Sequence, residues 1–194
     1  MEGSVERRII FLDLEASGLH RTSYPIEVGW AFLDLHAEGF LLRPAPEWTG
    51  WDWSFESEKI HGISRAECLR DGIDVWDAAR RMNDAFAGAH PYCDSPGFDG
   101  DWLRKLFAAS GIEPAFDLQL RDVLTPIRTA LAQRGEDHRM IEQRLQAVCP
   151  RPHRAAADAR YLAALYRSAM EPGFLERLEA GKMALPGSGQ PQIP

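Results

Sequence analysis

Residues 8–19 read RIIFLDLEASGL, a short apolar run that ends in two acidic residues separated by one leucine. An apolar run of this length that closes on a glycine is typical of a buried strand, and we predict one from Arg8 to Leu14. Alternate side chains of a strand share a face, so Asp13 and Glu15 point the same way. Two carboxylates held at the end of a buried strand can bind a divalent cation, although the same pattern fits two solvated acids.

The rest of the chain predicts an α/β fold with a mixed central sheet. Strands come first, as a three-stranded antiparallel meander, and helices then alternate with further strands. The predicted strands after the first cover residues 26–35, 39–43, 90–94 and 116–123. The predicted helices cover residues 57–60, a segment starting at 64, 74–87, 99–110, two segments on either side of Gly135, and 155–170.

The composition is that of a globular protein with a substantial core. The chain has 194 residues, 45% of them hydrophobic and 26% charged, with a net charge of -7. This charge argues against a basic surface that coats nucleic acid, but a metal-filled acidic site can still bind a polyanion. We predict one domain over residues 1–184 and a disordered tail rich in proline and glycine over residues 185–194.

The number of cysteines and the hydropathy pattern favour a cytoplasmic protein. Three cysteines without a CxxC pair indicate a reducing compartment. No segment has the length or apolar character of a signal peptide or a membrane span. We therefore expect no membrane association.

Two further segments carry acidic residues that could join the first pair. Asp99 opens the predicted mid-chain helix, where an aspartate often serves only as an N-cap. His153 precedes the predicted last helix and Asp158 lies in its first turns. Alternatively, these two are a surface histidine and an acid favoured by the helix dipole.

Together the three segments match one known arrangement in order and context. They are FLDLEASGL at 11–19, GFDGDWL at 97–103 and HRAAADA at 153–159. With these segments the chain resembles the DEDDh exonucleases, the DnaQ-like or RNase T-like branch of the RNase H-like superfamily. Shorter supporting segments are IEVG at 26–29, KIHGIS at 59–64 and LRDVL at 120–124.

The resemblance implies an RNase H-like fold and a 3′–5′ exonuclease that releases nucleoside 5′-monophosphates. Two Mg²⁺ or Mn²⁺ ions would be held by four carboxylates, those of Asp13, Glu15, Asp99 and Asp158. His153 would take the proton from the attacking water as general base.

The resemblance also implies contacts to the terminal nucleotide. Ser17, which stands where many relatives have threonine, and Gly18 and Leu19 follow the first acidic pair. Leu19 would wedge against a base, and His61 would contact the terminal sugar or phosphate. His61 is equally consistent with a histidine at a helix C-terminus beside Gly62.

The chain departs from the family pattern in two places. Ser95 stands where many relatives have asparagine, which makes substrate positioning near Asp99 less certain. Trp48, Trp51 and Trp53 could stack unpaired bases, but we favour a small satellite core beneath a long loop.

Arg151 and Arg154, beside His153, could contact phosphates or be surface charges.

The expected partners are 3′ ends of single-stranded DNA or RNA, with a second copy of the chain or a polymerase or other nucleic-acid enzyme as a protein partner. The first segment reads DLEASGL rather than the DLEMTGL typical of oligoribonuclease, which makes very short RNA a weaker expectation. Two alternatives stay open: a nucleic-acid-binding module with a non-catalytic site, and a metal-dependent phosphohydrolase of small nucleotide esters.

Overall fold

Five strands form one mixed sheet in the computed structural model, which describes residues 8–183 and 185–186. They are β1 (Ile9–Ala16), β2 (Pro25–Phe32), β3 (Ala37–Leu41), β4 (His90–Cys93) and β5 (Arg121–Asp122), in the spatial order β3-β2-β1-β4-β5. The first three strands are antiparallel neighbours, whereas β4 lies parallel to β1 and β5 lies parallel to β4. The predicted α/β class, meander and mixed sheet are confirmed.

Helices cover both faces of the sheet. They are α1 (Phe55–His61), α2 (Arg65–Asp71), α3 (Val75–Phe86), α4 (Pro96–Ser110), α5 (Leu124–Gln133), α6 (His138–Val148), α7 (Ala155–Met170) and α8 (Phe174–Glu179). One apolar core lies between the sheet and α3 and α4, and a second lies between the sheet and α5 to α8. The strands are therefore buried on both sides, which explains the near-continuous apolar run in β1.

The alternation of side chains along β1 determines which face carries the acids. Leu12 and Leu14 belong to the core on the α3–α4 side, whereas Phe11 belongs to the core on the α7 side. Asp13 and Glu15 share the parity of Phe11 and so project toward α7. The predicted strand ended at Leu14, whereas β1 continues to Ala16. Asp13 and Glu15 lie on the same face of the strand, as predicted.

Residues 116–123 and 174–179 differ from the predicted elements. Residues 116–123 do not form a strand, because only Arg121–Asp122 pairs with β4 and the residues before it form a loop. Phe116 and Leu120 are nevertheless buried in the core, so their apolar character reflects packing from a loop rather than a strand. Helix α8 was not predicted, although it buries Phe174 completely.

The tryptophan cluster forms the satellite core that the sequence favoured. Trp48 is 2% exposed and stacks on Tyr24, with ring centroids 5.3 Å apart. Trp51 and Trp53 are half-buried and pack against the same small cluster. These last two residues lie in irregular chain.

The end of the described chain is attached to the domain rather than free. Leu185 packs against the core on the α7 side, and Pro186 accepts a hydrogen bond from Arg160. Residues 187–194 lie outside the described part of the chain, so the disordered tail over residues 185–194 stays a prediction. Among the helices that the structure describes, none combines the length and apolar character needed to cross a bilayer.

Candidate active site

All five predicted catalytic residues line one open cleft of about 280 Å³ at the end of the sheet. Two come from β1, one from α4, one from α7 and one from the loop before α7: Asp13, Glu15, Asp99, Asp158 and His153. Asp13, Asp99 and Asp158 are buried, Glu15 is half-buried and His153 is exposed. Segments up to 145 positions apart in the sequence (13 to 158) thus form a single acidic site.

The close approach of α7 to β2 brings the last segment to the first. A Cβ atom at Gly29 would lie 2.1 Å from the backbone nitrogen of Ala156, so only glycine fits there. Gly29 pairs with Asp13 across the β1–β2 ladder. The start of α7 is consequently pressed against the sheet beside Asp13, and this contact places Asp158 in the cleft.

Asp99 is not an N-cap. Helix α4 begins at Pro96, with Ser95 in the N-cap position, so Asp99 lies inside the first turn and its backbone N–H donates to the Ser95 carbonyl at 3.0 Å. The predicted start at residue 99 was therefore late, because proline at the first helical position is a start signal. Asp99 is 3% exposed and points into the cleft, which removes capping as an explanation for it.

His153 has an unusual backbone conformation. Its φ of 56° lies in the left-handed region, which few residues other than glycine adopt. The residue follows Pro152 and ends the loop two residues before α7. Such conformations are retained where the surrounding structure imposes them, often at functional sites. Here it directs an exposed imidazole to the cleft.

The carboxyl groups of the cleft hold their protons more tightly than usual. Burial, reinforced by repulsion from Asp99 and Asp158, raises the pKa of Asp13 well above its ordinary value. Burial and then the charge of Asp158 raise the pKa of Glu15 to about 8. Burial also raises the pKa of Asp99 to about 7, even though the Cys93 thiol donates a hydrogen bond to it. The cluster is thus short of positive charge.

The donor set fits divalent cations. Asp99 Oδ2 and Asp158 Oδ1 are buried and have no hydrogen-bond partner among the described residues. Glu15, His153 and Asp158 each offer a ligand atom, and these atoms lie within 4.8 Å of one another. Unpartnered carboxylate oxygens on a rigid frame are the ligands that Mg²⁺ and Mn²⁺ prefer.

Arg151 places its guanidinium among these acids. Its Nε donates to Asp158 Oδ2 at 3.0 Å, its Nη2 lies 3.4 Å from Asp13 Oδ1, and its Nη1 lies 2.6 Å from Asp94 Oδ2. Burial alone would lower the pKa of Arg151, but Asp94 and Asp13 raise it above its ordinary value, so the group stays charged. Of the two roles considered for Arg151, surface charge is wrong.

A second ion pair fixes the start of α7. Arg154 donates to both carboxylate oxygens of Glu27, with its Nη2 at 2.7 Å, and the backbone N–H of Ala155 donates to the same group at 2.8 Å. Glu27 is buried on β2 directly opposite Glu15. Arg154 is therefore not an isolated surface charge, since it anchors the start of α7 next to His153.

The predicted substrate residues divide into two groups. Leu19 is 69% exposed and lines the cleft, as its expected role requires. Ser17 and Gly18 are buried, and the Ser17 hydroxyl accepts the Tyr24 N–H at 3.1 Å, so this hydroxyl holds the loop rather than facing the cleft.

His61 does not line the cleft. It is the last residue of α1, it is 5% exposed, and its Nδ1 accepts the N–H of Ile63 at 3.0 Å. The following Gly62 has φ 70° and ends the helix. His61 therefore lies at a helix C-terminus beside Gly62, which is the alternative position that the sequence analysis considered.

The ion pairs of Asp94, Arg151 and Glu27 were not predicted from the sequence. Asp94 and Arg151 had no pattern that could have joined them, because their contact depends on two loops meeting. Glu27 did carry a signal, since an acid in the middle of the apolar run IEVGW must be buried and must find a cationic partner.

Comparison with solved structures gives the fold. E. coli exonuclease I in complex with a dA16 oligonucleotide aligns with a TM-score of 0.64 at 18% identity, over 90% of this chain and 43% of that chain. The zinc-bound E. coli exonuclease I–ssDNA complex gives 0.63 at 17% identity, again over 90% and 43%. Exonuclease I from Methylocaldum szegediense gives 0.63 at 18%, with the same coverage.

The chain spans less than half the length of these proteins. At 17–18% identity these matches show the fold alone, and the predicted fold is confirmed. No protein-family model and no curated protein matches this sequence.

Proposed function

We propose that this domain is a metal-dependent 3′–5′ exonuclease that acts on single-stranded nucleic acid and releases nucleoside 5′-monophosphates. The observation that carries the proposal is the convergence of four carboxylates and one histidine, from separate elements, in one cleft. Two of the buried carboxylate oxygens have no partner within the described chain. The exonuclease I structures, two of them bound to single-stranded DNA, support DNA as the first substrate to test, with RNA second.

Four carboxylates would hold the cations in this proposal: Asp13, Glu15, Asp99 and Asp158. Two bound Mg²⁺ or Mn²⁺ ions supply Lewis-acid activation of water and stabilise charge on the leaving oxygen. The chain's contribution is to keep these ligands fixed on β1, α4 and α7, so that little reorganisation is needed.

His153 would act as general base. As water attacks the terminal phosphodiester, a new P–O bond forms and the bond from phosphorus to the 3′ oxygen breaks. His153 accepts the proton lost by the water, and the leaving 3′ oxygen takes a proton from solvent. Its exposed imidazole has room for this exchange. Its proximity to Glu15 and Asp158 would also allow it to bind a cation, so the two roles need separate readouts.

Exposed apolar side chains also line the cleft. Leu19 and Phe98 line the cleft and are 69% and 50% exposed, so a bound nucleotide can reach both side chains. Phe98 lies against Trp102, with ring centroids 5.7 Å apart. We propose that these side chains contact the terminal bases, since stacking on aromatic rings is tolerant of sequence.

The test is a time course on 5′-labelled single-stranded DNA and RNA, with Mn²⁺ and with EDTA. We expect a ladder that shortens from the 3′ end only with metal. Asp99→Ala and Asp13→Ala should each lower the rate by at least about a hundredfold, because each removes a ligand. Asp101→Ala is the matched control: Asp101 lies two residues beyond Asp99 on α4 but is exposed and pairs with Arg104.

The alternatives give different results in the same assay. A binding module would retain the oligonucleotide without shortening it, and a phosphohydrolase of small esters would cleave nucleotide esters without dependence on chain length. His153→Ala separates the two roles of the histidine: a base predicts a slower rate with unchanged Mn²⁺ affinity, whereas a ligand predicts weaker Mn²⁺ binding.

Two further expectations stay predictions. One is a protein partner, either a second copy of the chain or a polymerase. The other is a cytoplasmic location, with which three unpaired cysteines are consistent.

A further inference from the structure

The Arg151 guanidinium lies between carboxylates that we assign to the metal ions. Its guanidinium contacts two of the four carboxylates assigned to the cations, Asp158 through Nε and Asp13 through Nη2. These carboxylates come from α7 and β1, so one side chain from the loop between α6 and α7 bridges the two halves of the site. A charged guanidinium at this place reduces the repulsion between the carboxylates, as a bound divalent cation would.

The contact is built rather than incidental. The Arg151 side chain is 29% exposed, whereas those of Asp13 and Asp158 are 8% and 1% exposed, so the ion pairs lie largely out of water. The third contact, to Asp94, is the shortest at 2.6 Å and involves a residue outside the proposed ligand set. Asp94 can therefore hold Arg151 at the cleft even when the contacts to Asp13 and Asp158 are released.

Arg151 neutralises only part of the acidic cluster. Arg151 takes Asp158 Oδ2, while Asp158 Oδ1 and Asp99 Oδ2 have no partner in the part of the chain that the structure describes. One positive charge thus faces five acids of the cleft, counting Asp94 with the four proposed ligands. Divalent cations would compete with the guanidinium for Asp13 and Asp158 and would bring the additional charge that the cluster lacks.

We propose that Arg151 is an intramolecular counter-cation of the metal site: it competes with divalent cations for Asp13 and Asp158 and so sets the metal concentration at which the site fills. In the metal-free protein it holds β1 and α7 together across the acids. Metal binding displaces it from these two carboxylates while Asp94 keeps it at the edge of the cleft. The inference rests on the metal-binding part of the proposed function and not on exonuclease activity.

The test is a titration of the full chain with Mn²⁺ in the absence of nucleic acid, in which calorimetry measures the dissociation constant. Arg151→Ala should bind Mn²⁺ more tightly, on the order of tenfold, since removal of a competing ion pair of ordinary strength changes a dissociation constant by about that factor. Arg151→Lys, which keeps the charge but not the fork of donors, should fall between the two. In EDTA, Arg151→Ala should melt at a lower temperature than the unsubstituted protein.

Arg104→Ala is the control for the loss of one positive charge. Arg104 lies on α4, the helix that carries Asp99, but it pairs with the exposed Asp101. It should leave the Mn²⁺ affinity within about twofold, because exposed charges are screened. Unchanged or weaker Mn²⁺ binding by both Arg151 variants would overturn the proposal. Absence of Mn²⁺ binding by the unsubstituted protein would instead overturn the metal site itself.

Discussion

Glu27 is the residue on which the geometry of His153 depends. It is buried opposite Glu15, and two acids facing each other across a ladder are unfavourable unless one is neutralised. Arg154 and the N–H of Ala155 provide that neutralisation and at the same time fix the start of α7. The left-handed backbone of His153 is therefore held from its C-terminal side by a carboxylate that does not line the cleft.

We predict that Glu27→Gln lowers kcat by about tenfold, because even small misplacement of a catalytic group is costly. It should cost about 1–2 kcal/mol of stability, since the half-exposed Arg154 can still reach water. Steady-state kinetics and urea unfolding give the two numbers. Glu38→Gln is the control, as Glu38 is exposed on β3 and pairs with His36.

A purely structural role for Glu27 would give a different pattern. In that case kcat would be normal well below the melting temperature, and only the unfolding midpoint would change. A large rise in KM with unchanged kcat would also contradict the positioning role, since it would indicate a substrate contact.

Among the elements, α7 decides whether a site exists, because it carries Asp158 and packs on β1, β2 and β3. Its approach requires two glycines in neighbouring strands. A Cβ at Gly39 would lie 3.0 Å from the Cβ of Ala156, and a Cβ at Gly29 would meet its backbone. The small residues at the start of α7 serve the same close contact.

We predict that Gly29→Ala destabilises the protein by about 3 kcal/mol or more, because the added methyl meets backbone that cannot turn away. Gly97→Ala is the matched control: a Cβ there has no atom within 4 Å and its φ is negative, so the change should stay within about 1 kcal/mol. Thermal unfolding of both variants measures this. Equal stability of the two would show that α7 can shift away from the sheet at little cost.

For the whole molecule, the acidic cluster links stability to pH. In this fold the pKa of Glu15 is raised from 4.5 to about 8 and that of Asp99 from 3.8 to about 7. Between these limits the folded state binds more protons than the unfolded state. The stabilisation is fully present below the unfolded values and is lost as pH rises through the folded values.

We predict that the melting temperature in EDTA falls as pH rises from about 5 to about 8.5, and that Glu15→Gln falls less, because glutamine has no proton to lose. The difference in stability change should be at least about 1 kcal/mol, since one pKa unit corresponds to ~1.4 kcal/mol. Burial lowers the pKa of His61, which has the opposite sign, so the comparison between proteins is the informative quantity. Parallel curves for the two would contradict the raised pKa of Glu15.

The sequence by itself determined the sheet, most of the helices, and the four acids and one histidine of the candidate site. It could do so because periodicity fixes which face of a strand or helix a residue occupies, and because each segment carries its signal within a few residues. It mistook residues 116–123 for a strand because apolar residues packed from a loop have the same composition.

Only the tertiary structure decided what these residues contact. The ion pairs of Arg151 with Asp13 and Asp94 join segments that are distant in the chain, and so does that of Glu27 with Arg154. Such contacts depend on where two elements meet, which no local pattern encodes. The burial of Ser17 and His61 away from the cleft has the same origin, since exposure is a property of the packed molecule and not of the segment.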